Sequence, residues 1–243
     1  MPDLPRAVRF VTWYNAWQQG ATSLDEAHDA IRAGDAAHHV SGLQADGGTI
    51  GLMLALGRLG KQGADSARLA LPAPGDPLGL GGPASFNGEA IVAGEAVLLP
   101  GAGCGLVPTM AGRGVVWQAY DALEPRESPD LAEADRALRA SLVTSARQLA
   151  DLDVASWQPQ AADALVSLRG RDRLEHWAPG YPGAALAVAA TALRCRWIVD
   201  LALDDEGGAL TADQAAKRRT ALVPLDRAAR RGLVAACSTP RTD

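Results

Sequence analysis

A loop rich in proline and glycine constrains this chain more than any other feature. Residues 71–89 read LPAPGDPLGLGGPASFNGE and include four prolines and five glycines. Proline fixes its own φ angle, while glycine adopts backbone conformations that other residues avoid. An apolar run at 67–71 precedes the loop, and a helix-like segment at 84–93 follows it. We therefore expect a shaped surface between two regular elements rather than a flexible spacer.

The segments around this loop predict a small β-sheet. Residues 67–71 and 96–99 are short apolar runs typical of strands, with the helix-like segment between them. This strand–helix–strand order resembles a βαβ unit. A second glycine loop is expected at 101–105, and residues 115–120 predict a further strand. A small mixed sheet is the expected outcome.

The residues before the sheet predict three helices. The first shows a helical stripe that ends near Gly20, although an alternating strand pattern also fits part of it; the stripe consists of Ala7, Phe10, Tyr14 and Trp17. Ser23 and Glu26 form a capping box for a second helix at 24–32. Residues 38–40 are expected in a connector, and residues 48–59 predict a buried third helix.

The second half of the chain predicts helices only. Residues 128–130, Ser-Pro-Asp, are typical of a helix start and precede a long amphipathic pattern that ends near residue 152. A shorter helix is predicted at 161–168, and a second capping box at 211–214. The apolar segment 184–203 contains charged residues and therefore predicts a buried helix rather than a membrane span. Pro224 is expected to kink or split the last helical region.

Together these patterns predict an α+β fold that is mainly helical. N-terminal helices and a small mixed sheet with a βαβ-like unit are followed by a C-terminal helical bundle. The polar segment 124–128 is the candidate boundary between an α+β part at 1–123 and an all-helical part at 129–238. One continuous domain is the alternative.

Composition indicates a cytoplasmic bacterial protein. Arginine supplies 21 of the 23 basic residues, which is typical of a GC-rich genome, and the net charge of −5 favours neither nucleic acid nor an anionic membrane. The three cysteines lie far apart and form no CxxC pair, as expected in a reducing compartment. The first residues, MPDLPR, lack the plan of a signal peptide.

The loop also contains the main candidate for a ligand site. Its GLGGPA segment matches the dinucleotide pattern G-x-G-x-x-[GA], but the glycines lie too far beyond the strand and no acidic residue follows the second strand. We therefore predict no cofactor. An aspartate before proline suits a turn, and it could equally serve as a ligand or a general base. The candidate ligand-binding residues are Asp76, Gly79, Gly81, Gly82, Asn87 and Glu89.

Weaker candidates for catalysis are Asp76, His38, His39 and Cys104. Adjacent histidines point in different directions on a helix or a strand, so they do not form a metal clamp, and no metal site is predicted. The cysteine lies among glycines, in an accessible position, but the sequence places no base beside it. Solvated or core-edge histidines and a non-catalytic cysteine are the favoured interpretations.

A basic face near the C-terminus is the last candidate site. Arg227, Arg230 and Arg231 share one side of a predicted helix and could contact phosphates or an acidic protein. No aromatic residues interleave with them, so a solvated face is favoured and a nucleic-acid partner is not expected.

These observations favour a non-catalytic protein that acts through a protein partner or as a homo-oligomer. The loop at 75–89 is the first candidate interface, and the basic face is the second. The alternative is a small-molecule or anion-binding protein, or an enzyme, with Asp76, Asn87, Glu89 and a histidine around a pocket beside the loop. Nucleic-acid binding through the C-terminal helices is the third hypothesis.

Overall fold

Seven α-helices and six strands make up the described residues of the computed structural model, which are 4–43, 47–125, 128–151, 177–204 and 212–238. The first half contains α1 (Arg6–Gln18), α2 (Leu24–Arg32), β1 (His38–Ser41), β2 (Thr49–Gly51), α3 (Leu52–Lys61), β3 (Arg68–Ala70), α4 (Ala84–Ala93), β4 (Ala96–Leu99), β5 (Cys104–Ala111) and β6 (Gly114–Asp121). The second half contains α5 (Leu131–Asp151), α6 (Gly183–Asp204) and α7 (Ala212–Ser238). The predicted fold class, α+β and mainly helical with a mixed sheet, is confirmed.

The six strands form one sheet in the order β2-β1-β6-β5-β4-β3. Only the β1–β6 pair is parallel among these strands. The helix α4 and the strand β4 have the bounds that the sequence predicts, but the parallel pairing of a βαβ unit is absent. Ala70 of β3 lies opposite Ala96 of β4 in an antiparallel pair. The loop and α4 therefore leave and re-enter the sheet at the same end.

The core occupies both faces of the sheet. Along β4, Val97 and Leu99 belong to a large cluster that includes residues of α1, α3 and the C-terminal helices. Ala96 and Leu98 point the other way, into a smaller cluster with Phe86 of α4. Because successive side chains of a strand alternate between its faces, the two clusters lie on opposite sides of the sheet. The helix α4 thus covers the face that the other helices leave open.

Side chains of distant helices form hydrogen bonds with the backbone of the residues immediately before and after β3. The amide of Asn15 pairs with the backbone of Ala67, donating to its carbonyl oxygen at 2.9 Å and accepting from its N–H at 2.7 Å. Arg230 of α7 donates to the carbonyl oxygen of Leu71 at 2.8 Å. These bonds resemble those that a neighbouring strand would supply, and they anchor β3, which ends the sheet.

Two predicted helix starts can be compared with the structure. At α2, the Ser23 hydroxyl accepts from the N–H of Glu26 at 3.1 Å and the Glu26 carboxylate accepts from the N–H of Ser23 at 3.0 Å, which confirms the capping box. The helix α5 begins three residues after Ser128, and Asp130 caps it by accepting from the N–H of Glu133 at 2.9 Å. The second predicted capping box and the helix at 161–168 fall partly or wholly outside the described residues.

Three details of the sequence analysis were wrong. The segment at 38–40 is the strand β1 rather than a connector, and the helix at 48–59 is divided into β2 and α3. The strand β5 was missed, because its proline and glycine obscure the alternation. Of the two outcomes expected at Pro224, a split does not occur, since α7 continues through the proline, and the kink stays a prediction. Contacts with α5 and α6 hold this helix and override the local cost of a proline.

No described helix is both long and apolar enough to cross a membrane. Residues of both halves join in the large core cluster, and α7 contacts β3 directly. The boundary at 124–128 stays a prediction.

Candidate functional site

The glycines of the loop lie against neighbouring backbone. A Cβ atom on Gly79 would lie 2.7 Å from the Cα atom of Ala70, and one on Gly81 would meet the carbonyl oxygens of Leu123 and Glu124. Gly82 donates its N–H to the side-chain oxygen of Asn87 at 3.1 Å. Close packing thus accounts for Gly79 and Gly81, and a local hydrogen bond accounts for the position of Asn87.

The structure joins two candidate sites that the sequence left separate, because Asp76 contacts the basic face of α7. Its carboxylate lies 3.0 Å from Arg230, 3.2 Å from Arg227 and 3.6 Å from Arg231. Arg230 is buried and also contacts Asp226 at 2.8 Å. Burial would raise the pKa of Asp76, but the hydrogen bonds and charges of Arg227 and Arg230 outweigh it and lower the pKa. An ionised carboxylate held by arginines anchors the loop to α7 and is poorly suited to act as a general base.

A cleft of about 850 Å³ lies beside the loop. Its lining includes four of the predicted ligand-binding residues, namely Asp76, Gly79, Gly81 and Asn87. Arg231 and the start of α5 complete its walls, but Gly82, Glu89 and the histidines of the described ranges do not line it. The predicted pocket therefore forms with only part of the predicted side-chain set.

His38 belongs to a buried hydrogen-bond chain. Its Nδ1 accepts from the indole N–H of Trp117 at 3.2 Å, so its Nε2 carries the proton donated to Asp35 at 3.0 Å. Asp35 also accepts two hydrogen bonds from Arg6, at 3.1 and 2.9 Å, and one from Arg9 at 3.0 Å. With both ring nitrogens engaged, His38 cannot exchange a proton without breaking this chain.

The pKa values of His38 and Asp35 favour one charge state for each of these hydrogen-bonded groups. Burial lowers the pKa of His38, against the opposing effect of Asp35. Burial would raise the pKa of Asp35, but hydrogen bonds from Arg6, His38 and Arg9 hold it far below its usual range. Neutral His38 and ionised Asp35 form a structural unit that joins α1, β1 and β6.

The remaining catalytic candidates do not converge. His39 is exposed whereas its neighbour His38 is buried, as expected for adjacent residues of a strand. Burial raises the pKa of the Cys104 thiol to about 11, so the thiol is protonated and a weak nucleophile near neutral pH. Within the described ranges, no three or more His, Cys, Asp or Glu side chains group as a metal site would require.

A second cleft, which the sequence did not reveal, lies between α2, β1 and α3. We refer to this space, of about 940 Å³, as the α2–α3 cleft. Its charged and titratable lining residues are His28, Asp29, Arg32, His38, His39, Arg58 and Lys61. Two helical faces supply most of them, since Leu24, His28 and Arg32 recur every four residues on α2, and Leu54, Arg58 and Lys61 recur on α3. This spacing is the sequence signal that could have found the cleft.

The cations of this cleft lack acidic partners. Arg32, Arg58 and Lys61 form no salt bridge with any carboxylate of the described residues. Arg32 makes one long hydrogen bond, 3.5 Å, to the carbonyl oxygen of Asp35. The single carboxylate of the cleft, Asp29, lies 3.1 Å from His28. Three positive charges and one negative charge leave an excess of two positive charges.

Comparison with known proteins places the chain in a family. The model for the Rv1486c-like protein, N-terminal domain, matches residues 7–132, and the model for the Rv1486c-like protein, C-terminal domain, matches residues 132–234. The chain belongs to the Rv1486c-like protein family. Both clefts lie largely within the part that the N-terminal model matches.

Two relatives come from Mycobacterium tuberculosis. The uncharacterized protein Rv1486c of strain ATCC 25618 / H37Rv is 26% identical over 228 residues, which cover 76% of this chain and 78% of the relative. The uncharacterized protein MT1533 of strain CDC 1551 / Oshkosh shows the same identity and coverage. No solved structure matches the chain. The bacterial origin of these relatives agrees with the origin that the composition predicts.

Proposed function

We propose that this protein binds a small anionic molecule in the α2–α3 cleft and acts by binding rather than by catalysis. The observation that carries this proposal is a group of three cationic side chains around one cleft that pair with no carboxylate of the described residues: Arg32, Arg58 and Lys61. Like charges held near one another repel, and an anion between them would relieve that repulsion.

The excess of positive charge is local and not a consequence of composition. The whole chain carries a net charge of −5, and the arginines of α7 are neutralised in part by Asp76 and Asp226. In the α2–α3 cleft the charges stay unmatched. This contrast supports a ligand as the missing partner.

The state of the catalytic candidates supports binding rather than catalysis. Cys104 has a raised pKa, His38 has both ring nitrogens engaged, and Asp76 is held by arginines. None of the three combines an accessible reactive atom with a neighbouring base, as nucleophilic or acid–base catalysis requires.

Isothermal titration calorimetry at low salt tests the proposal with pyrophosphate, citrate and octanoate as probes. We expect at least one probe to bind, and the Arg58→Ala/Lys61→Ala double variant to bind it at least tenfold more weakly, because hydrogen bonds to charged groups contribute about 1.5–3 kcal/mol each. The matched control is Arg136→Ala/Arg147→Ala, which removes two charges from exposed residues of α5 that do not line the cleft. Absence of binding by all three probes would contradict the proposal.

A protein interface at the loop is the second candidate function. Leu123 is 62% exposed beside the loop, where its N–H donates to the carbonyl oxygen of Gly82 at 2.9 Å. An exposed leucine next to a shaped loop would suit a self-association contact. Light scattering after size-exclusion chromatography should then show a dimer that Leu123→Ser dissociates, and a monomer at high concentration would refute this function.

Two further hypotheses from the sequence stay predictions. Nucleic-acid binding through Arg227, Arg230 and Arg231 is less favoured because Asp76 contacts all three. Steep salt dependence of binding to duplex DNA, lost in the triple alanine variant, would support it. The cytoplasmic location also stays a prediction, and cell fractionation with an antibody to the protein would test it.

A further inference from the structure

We infer that the ligand of the α2–α3 cleft is an amphipathic anion, with one anionic group joined to an apolar chain or ring. This inference rests on the proposed function and names the class of ligand. It is carried by the apolar part of the cleft, which an inorganic anion would leave uncovered.

The cleft exposes large apolar side chains among its cations. Met53 is 39% exposed and Leu54 is 52% exposed, whereas Leu52, Leu56 and Leu59 of the same helix are buried. Leu24 lines the facing wall on α2 and is half-buried. Exposed apolar surface of this kind gains free energy when a ligand removes it from water.

Each wall of the cleft presents an apolar side chain and at least one cation on the same helix, about 6 to 12 Å apart along the helix axis. Leu54 precedes Arg58 by four residues and Lys61 by seven, which corresponds to rises of about 6 and 10 Å along α3. On α2, Leu24 precedes Arg32 by eight residues, or about 12 Å. One ligand of modest length can therefore contact a cation and an apolar side chain together.

The size of the cleft also favours an organic ligand. Its volume of about 940 Å³ lies near the upper end of the range for small-molecule sites, roughly 300–1,000 Å³. A water molecule occupies about 30 Å³ of liquid, so an inorganic phosphate would fill a small part of the space. Gly57 lines the cleft, and no atom lies within 4 Å of the position that its Cβ would take, so the wall has room for a larger side chain.

The test is calorimetry of the full-length protein with a series of linear carboxylates: butanoate, hexanoate and octanoate. We expect affinity to rise about fourfold for each added methylene group, since burial of one contributes about 0.8 kcal/mol. Octanol, which lacks the charge, should bind at least tenfold more weakly than octanoate. Pyrophosphate and citrate serve as anions without an apolar chain.

Three variants separate the contributions of charge, apolar surface and space. Arg58→Ala/Lys61→Ala should abolish the preference for octanoate over octanol, and Met53→Ser/Leu54→Ser should flatten the dependence on chain length. Gly57→Leu should weaken binding of every probe, because the added side chain takes up part of the space beside Leu54 and Arg58. The charge-matched control Arg136→Ala/Arg147→Ala should change none of these values.

The outcomes distinguish this inference from the function on which it rests. If pyrophosphate or citrate binds in an Arg58- and Lys61-dependent manner while affinity does not rise with chain length, the inference is wrong and the anion site stands. If no anion binds, both are wrong, and if octanol binds as tightly as octanoate to the unmodified protein, the inference is wrong. An affinity that rises with chain length and is lowered in the Gly57→Leu variant would support both.

Discussion

Replacing Gly79 with alanine should destabilise the protein because the new methyl group would meet backbone atoms of β3. Its Cβ would lie 2.7 Å from the Cα atom of Ala70 and 2.8 Å from the carbonyl oxygen of Leu69, where ordinary contacts are 3.4–4 Å. Backbone atoms cannot rotate away as a side chain can, so the loop and β3 must separate. Overpacking of this kind costs about 1–3 kcal/mol.

Gly75 in the same loop provides a matched control. Both glycines have a left-handed φ angle, +77° at Gly75 and +82° at Gly79, so alanine suffers the same conformational cost of about 1–2 kcal/mol at each position. No atom lies within 4 Å of the position that a Cβ would take at Gly75. The difference between the two variants therefore isolates the contact with β3.

Urea unfolding of both variants measures this difference. We expect Gly75→Ala to lower the free energy of unfolding by about 1–2 kcal/mol. The Gly79→Ala variant should be less stable than the Gly75→Ala variant by about 1–3 kcal/mol. The slope against urea should stay the same, so that the midpoints report stability. If the two variants agree to within about 0.5 kcal/mol, close packing does not explain the glycine at position 79.

Four other predictions follow from the charged and titratable groups and from the Cys104 thiol. The free energy of unfolding should fall as pH drops below 6.5, the ordinary pKa of a histidine, because the pKa of His38 is lowered in the folded protein and the unfolded chain binds the proton first. Urea unfolding at pH 7.5, 6 and 5 measures this loss of stability, and a free energy that does not change with pH would refute the prediction. A further loss should begin below pH 3.8 as the unfolded chain protonates Asp35, whose folded pKa is lowered; acid titration by circular dichroism, compared with the Asp35→Asn variant, checks it. Asp76→Ala should cost about 2 kcal/mol because it removes one ionic partner of buried Arg230, as thermal unfolding would show. The Cys104 thiol should react with iodoacetamide far more slowly in the folded than in the urea-unfolded protein at pH 7.5, since its folded pKa is about 11; equal rates in mass spectrometry would be inconsistent with that burial.

Local patterns in the sequence were sufficient for many elements. The apolar stripe of α1 and the capping box of α2 depend on residues within one or two helical turns. The bounds of α4 follow from the residues that flank it. Pro83 precedes the helix, and Gly94, in a left-handed conformation, follows it. Such features need no distant partner, so a single sequence contains them in full.

Strand pairing was less accessible from the sequence. The strand β1 has four residues, and its side chains acquire a buried and an exposed face only by pairing with β6, which follows more than 70 residues later. The antiparallel pairing of β3 with β4 likewise depends on the path of the loop and α4 over the sheet. Short segments carry too few alternating positions to specify such partners by themselves.

The sequence by itself determined the α+β class and most of the described helices, while the tertiary structure alone decided which charged side chains meet. Asp76 and Arg230 were each singled out as candidates, yet only folding brings them within 3.0 Å of each other. Arg32 and Arg58 drew no attention in the sequence, and the packing of α2 beside α3 places them around one cleft. The physical reason is that periodicity and capping act over a few residues, whereas ion pairs and clefts arise where segments far apart in the chain are packed together by the hydrophobic core.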